Sequence, residues 1–238
     1  MSRRLNEDFE KLSSFLCDYN LGTYTTCQRQ INECKSMHKK LYGLMIFFAE
    51  YNCQIEYKCF SKFLEEMSSD LLLSLFNWIQ GMYKPAKLEL RCAIENFLKA
   101  VVLLSDAAII QEKSVYEIFD SAKADKHFKT EFGKKRIELL RNDYSTLCRT
   151  VHSDPVQMHS TSALNLLPQY NMDSSIELVN LYIRVVENSL GILYINYPVI
   201  VDNMHPENTF TTSLLSPQGI WNVAYYFVNR IIKGDYYE

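Results

Sequence analysis

Glycine and proline are scarce, at seven and six of 238 residues. So little turn punctuation argues against a many-stranded fold and for long, uninterrupted helices. Cysteine pairing signals are also missing. The seven cysteines are odd in number and none forms a CxxC, so they read as free thiols of a reducing, cytoplasmic compartment, buried as small hydrophobes. The longest apolar runs, Leu71–Ile79 and Val101–Ile110, are too short and interrupted to cross a bilayer, so no membrane partner is expected. The opening MSRRLNEDFEK is basic but continues into acidic and amide residues, unlike a secretory signal. A formal charge of −3 excludes a globally basic nucleic-acid binder and leaves room for a local basic patch. No Walker loop, GxGxxG, HExxH or GxSxG is present. The histidines at 38, 127, 152, 159 and 205 show no i,i+3 or i,i+4 pairing, so neither a metal nor a cofactor is expected.

What is present is helical periodicity. Leu5, Phe9, Leu12 and Leu16 make one stripe, and Leu21-Gly22-Thr23 reads as its stop. Cys27, Ile31, Cys34, His38, Leu41, Met45 and Phe48 make a heptad-like seam, in which His38 reads as a core-edge histidine bonded to a neighbour. A break is expected over 51–56. Phe60, Phe63 and Met67 then lead to Leu71, Leu75, Trp78 and Met82, with an interruption and new N-cap admissible at Ser68-Ser69-Asp70. The aromatics there read as core filling rather than a pocket. A helix starting near Pro85 buries Leu90, Ile94, Phe97, Val101 and Leu104. A short helix is expected around Ser114–Phe119, and a longer one through Ile137, Leu140, Tyr144, Leu147 and Val151, ended by His152-Ser153-Asp154-Pro155. After a polar loop to Tyr170, Ser174 and Glu177 read as a capping box. That helix runs through Ile176, Val179, Ile183, Val186 and Leu190 to Tyr197-Pro198. A second loop and a last helix from Ser216-Pro217, using Ile220, Ala224, Phe227 and Ile231, complete an all-α fold. Its expected divisions are an N-terminal helical region (1–83), a central bundle (84–197) and a C-terminal loop and helix (198–238).

Reactive residue types gather in two helices. Arg91 and Glu95, one turn apart, edge the apolar stripe of the first, with Lys84, Lys87 and Lys99 near. Arg149 and His152 end the second on a shared face. Taken alone, the Arg91–Glu95 pair reads first as an ordinary surface ion pair, and capping alone could explain His152. If the two helices pack antiparallel, the four residues meet. Arginine could then grip a phosphodiester and histidine move a proton, enough for metal-free RNA cleavage by the 2′-hydroxyl. Between the helices, KADKHFKTEFGKKR (123–136) carries six Lys/Arg against two Asp/Glu. Lys134, Lys135 and Arg136, with Arg141 beyond, are candidate phosphate contacts, although a solvated loop would read the same.

The pair of segments LRCAIENFLKAVVLL and LLRNDYSTLCRTVHS resembles the HEPN superfamily, small all-α domains of bacterial toxin, antiviral and RNA-processing proteins. The resemblance covers roughly 85–197. It implies a HEPN-like antiparallel helical bundle, commonly a homodimer, whose active members are metal-independent ribonucleases using arginine and histidine. It matches His152 to the histidine, Arg149 or Arg141 to the arginine, and Arg91 and Glu95 to the charged pair of the earlier helix. The expected partners are RNA, a second copy of the chain and a protein of a bacterial defence operon. Only two residues separate Arg149 from His152, closer than in catalytic members. A helical adaptor that binds a protein partner without catalysis is therefore the alternative.

Overall fold

The computed structural model describes residues 3–18, 28–54, 58–151 and 170–215. Among them are nine α-helices and no strand, so the all-α class holds. The helices are α1 (Arg3–Asp18), α2 (Gln28–Gln54), α3 (Lys58–Ile79), α4 (Tyr83–Leu103), α5 (Val115–Ala124), α6 (Glu131–Val151), α7 (Met172–Asn196), α8 (Pro198–Asp202) and α9 (Pro206–Leu215). Two 3-10 turns, Ala107–Gln111 and Lys126–Phe128, flank α5.

α4 is the centre. It buries Ala86, Leu90, Ala93, Ile94, Phe97, Leu98 and every residue from Ala100 to Leu103, far more than one stripe. α3, α5, α6 and α7 all pack on it. The tightest of these pairings, with α3, is set by the turn between them. There Gly81 has φ 74°, Gly81 N donates to Trp78 O and Met82 N donates to Asn77 O. That is the Schellman arrangement, in which glycine takes the left-handed position without a Cβ clash. One continuous core runs from Cys34 to Met204. The expected division at 83/84 falls just past this turn, after the first residue of α4, and the two helices on either side share that core. At one end Tyr51, Phe60 and Tyr197 form an aromatic cluster, with ring centroids 4.5 Å (Tyr51–Phe60) and 5.2 Å (Tyr51–Tyr197) apart. The aromatics of this region are core, as expected.

Several boundaries differ from the sequence reading. α2 continues to Gln54, over the first four residues of the expected break, and Tyr51 is buried in the core; residues 55–56 lie outside the described residues. α3 passes through Ser68-Ser69-Asp70 without interruption. Ser68 Oγ donates back to Leu64 O at 2.9 Å, which satisfies the hydroxyl inside the helix. α7 opens at Met172, capped by Asn171, whose side chain accepts from Ser174 N. Asn171 therefore does the capping expected of Ser174. In place of a loop after Pro198 stand α8 and α9. The expected last helix and the loop from 152 to 169 lie outside the described residues.

The buried row of α2 is Cys34, Met37, Leu41, Leu44, Phe48 and Tyr51. It shares Cys34, Leu41 and Phe48 with the expected seam, but Met45 is 51% exposed. His38 instead faces α1: its Nε2 lies 2.7 Å from Asp8 Oδ2, and its ring packs edge-on to Phe9. It is the core-edge histidine anticipated. α7 is the one helix among the described residues long and apolar enough to cross a membrane, and most of that stretch is buried in the fold. Its apolar run escaped the sequence reading because Arg184 and Glu187 interrupt it.

Phe97 is fully buried on α4, and Phe97→Ala is expected to cost about 3–5 kcal/mol. Met45→Ala should change stability by less than about 0.5 kcal/mol. Urea melts of the two variants check this difference.

Candidate functional site

The charged pair of α4 is built into the fold. Arg91 Nε donates to Glu95 Oε1 at 3.2 Å, and the same oxygen accepts the Tyr144 hydroxyl of α6 at 2.7 Å. The Arg91 guanidinium stands 5.5 Å from the Tyr144 ring centroid, within cation–π reach. Both charged side chains are about three-quarters buried. Burial, reinforced by the Glu95 carboxylate, holds the Tyr144 phenol far above its ordinary range. The three residues form a clamp between α4 and α6, which the surface-pair reading does not describe. Tyr144, expected on the buried stripe alone, also carries this polar contact.

Glu95 meets Tyr144, and Arg91 lies within electrostatic reach of Cys148. Position falls along α4 as it rises along α6, so the two helices are antiparallel. Arg149 follows Cys148, is exposed, and sits in the last turn of α6, where the helix dipole favours a cation. The antiparallel pairing thus brings Arg91 and Glu95 to the α6 end that carries Arg149. His152, the proposed proton carrier, lies outside the described residues.

The lysines and arginines of the candidate phosphate surface separate into two groups. Lys134 and Lys135 are exposed, Lys134 pairing with Glu131 at 2.9 Å. Arg141 is partly exposed, 4.0 Å from Asp120. Arg136 points inward: its Nη1 donates to Asn188 of α7 at 2.7 Å and its guanidinium covers the Phe132 ring at 4.6 Å. Burial lowers its pKa. Arg136 therefore joins α6 to α7 and is only partly exposed. Lys135 and Arg149 are 14 residues apart on one helix, about 21 Å. Lys87 and Lys99 are likewise engaged, with Glu177 Oε2 at 2.8 Å and the Glu112 carbonyl at 2.6 Å.

Two features had no sequence signal. Arg184 of α7 donates through two nitrogens to Asp143 Oδ1 of α6, at 2.7 and 3.1 Å. On the α3 side of α4, Asp70 Oδ2 accepts from Asn96 Nδ2 at 2.8 Å. Burial pushes the Asp70 carboxyl up to about 6 against the opposing effect of that hydrogen bond, and Glu89, Glu66 and Glu95 add to the rise. Burial and the same acidic neighbourhood raise the Cys92 thiol to about 11. Among the described residues no group of three His, Cys, Asp or Glu could hold a metal. An open groove of about 510 Å³ between α2 and α7 has an apolar floor of Ile176, Val179 and Ile183. Its carboxylate, Glu33, is occupied by Arg29 and Ser175.

No protein-family model, curated protein or solved structure matches the chain.

Tyr144→Phe removes one hydrogen bond to a carboxylate about three-quarters buried and should cost about 1–3 kcal/mol in urea melts. Asp70 gives a pH signature. Between its unfolded and folded titration points the folded state keeps a proton that the unfolded chain has lost, so its contribution to stability falls as pH rises from about 4 to about 6. Asp70→Asn keeps an acceptor for Asn96 and loses that decline. The stability difference, variant minus parent, should grow across this window.

Proposed function

We propose that the chain is a HEPN-like helical protein of a bacterial defence or toxin system that acts on RNA, with its working end where α4 and α6 meet. The observation that carries this reading is the antiparallel register of α4 and α6. It sets Arg91 and Glu95 against Tyr144 and Cys148, next to exposed Arg149 and three residues before His152. In this reading Arg149 neutralises a backbone phosphate. His152 accepts the 2′-hydroxyl proton as the 2′-oxygen bonds to phosphorus, and the 5′-oxygen leaves with a proton returned to it. Glu95 and Tyr144 hold Arg91 and brace the helix end. No metal or cofactor takes part in this scheme.

A non-catalytic adaptor that binds a protein partner, or a second copy of the chain, is the second reading. It draws on the same clamp: Arg91 and Glu95 satisfy one another and Tyr144, as structural residues do.

Expression of the parent chain and His152→Ala in bacteria, with growth and RNA integrity followed together, separates the readings. Loss of growth with cleaved RNA in the parent, both abolished in a folded His152→Ala, is the expected result. Cleavage of RNA by His152→Ala at the parental rate would overturn the catalytic assignment.

A further inference from the structure

Tyr116 is the most exposed large hydrophobic side chain among the described residues, at 76%. It stands on the outer row of α5 with Asp120 and Lys123, at i, i+4 and i+7. The inner side of α5 is committed to the core through Ile118, Phe119 and Ala122, so Tyr116 contributes nothing there.

Two contacts set α5 against α6. The Phe119 ring meets the Tyr144 ring edge-on at 5.5 Å, and Asp120 faces Arg141 at 4.0 Å. A step up α5 thus matches a step down α6, and the helices run antiparallel. Tyr116, one turn before Asp120, is level with the α6 stretch beyond Tyr144, between Arg141 and Arg149. The outer row of α6 reads Lys134, Glu138, Arg141, Ser145 and Arg149, each exposed or partly so. From Lys134 to Arg149 it spans about 22 Å. An aromatic ring therefore stands between two arginines, beside a row of cations spaced along one face, with Asp120, Glu131 and Glu138 as the acids among them.

We propose that the outer face of α5 and α6 binds single-stranded RNA, with a base stacked on Tyr116 and backbone phosphates on Arg141, Arg149 and the lysines at 123, 134 and 135. This deepens the reading given under Proposed function and rests on it. A solvent-facing aromatic among cations is what unpaired bases require, since every base offers a π-face and every nucleotide a phosphate. A duplex hides those faces in its own stack. Among the described residues neither helix carries another exposed large hydrophobic side chain, so the face lacks the apolar centre of a protein interface. Arg136, turned inward onto Phe132 and Asn188, has no part in it.

The test uses the full chain and a labelled single-stranded oligoribonucleotide of about 12 nucleotides, 2′-O-methylated so that it cannot be cleaved by 2′-attack. Fluorescence anisotropy is followed against salt, with a duplex of the same sequence as comparison. Tyr116→Ala is expected to bind the single strand about tenfold more weakly with an unchanged salt slope and unchanged duplex binding, and Tyr116→Phe to bind as the parent does. Arg141→Gln should lower the salt slope by about one. A parent that binds while Tyr116→Ala binds equally well overturns the stacking assignment alone. A parent that binds no RNA, or is retained only by anionic lipid vesicles, overturns the RNA reading together with it.

Discussion

A helix buried on nearly every side, and yet carrying charges, is the constraint on which this structure depends. α4 sits under four other helices, and several of its polar residues are partly or wholly buried. Four of them are answered by four different neighbours. Lys87 meets Glu177 of α7, Glu95 meets Tyr144 of α6, Asn96 meets Asp70 of α3, and Lys99 meets the Glu112 carbonyl before α5. Leaving any of these groups unpaired would cost more than forming the pair gains. Such contacts add little net stability when complete. Their effect is to penalise every register but one, because sliding α4 by a turn would orphan several at once.

The consequence for function is a division of labour among charged residues of similar type. Arg91, Arg136 and Lys87 are cations turned toward the interior, each with a partner that burial demands. Arg141, Arg149, Lys134 and Lys135 are cations on the outer face of α6. α6 takes part in both arrangements. Its inner row of Ile137, Leu140, Tyr144 and Leu147 anchors the fold, while its outer row stays open to a charged ligand. A surface braced by a packed helix holds its side chains in position better than a loop does.

How far this was readable from the chain depends on which residues are asked about. The apolar rows of α4 and α6 were readable, because burial on a helix repeats every 3.6 residues whatever lies opposite. That of α7 was readable in part: Val179, Val186 and Leu190 are buried, but Ile176 and Ile183 are partly exposed and the core row runs through Leu178, Tyr182 and Val185. The row of α2 was half readable. Cys34, Leu41 and Phe48 recur every seventh residue in either of two seams, and the choice between His38/Met45 and Met37/Leu44 falls to whichever neighbours cover them. α1 covers His38, and Met45 is left half exposed among the described residues. Tyr116 was equally visible as a letter, but periodicity alone does not say that its side of α5 is left bare.

The sequence by itself determined that the chain is all-helical, where most helices run, and that Arg91 and Glu95 would share a helix face, since these follow from local spacing and capping. Only the tertiary structure decided which charges are partners and which are surface. That outcome rests on which helices become neighbours and in which direction they run. Tyr144 meets Glu95 across 49 positions of chain, and Arg136 turns inward to a residue 52 positions away. No local rule connects positions that distant, and the cost of burying an unpaired charge is what brings them together.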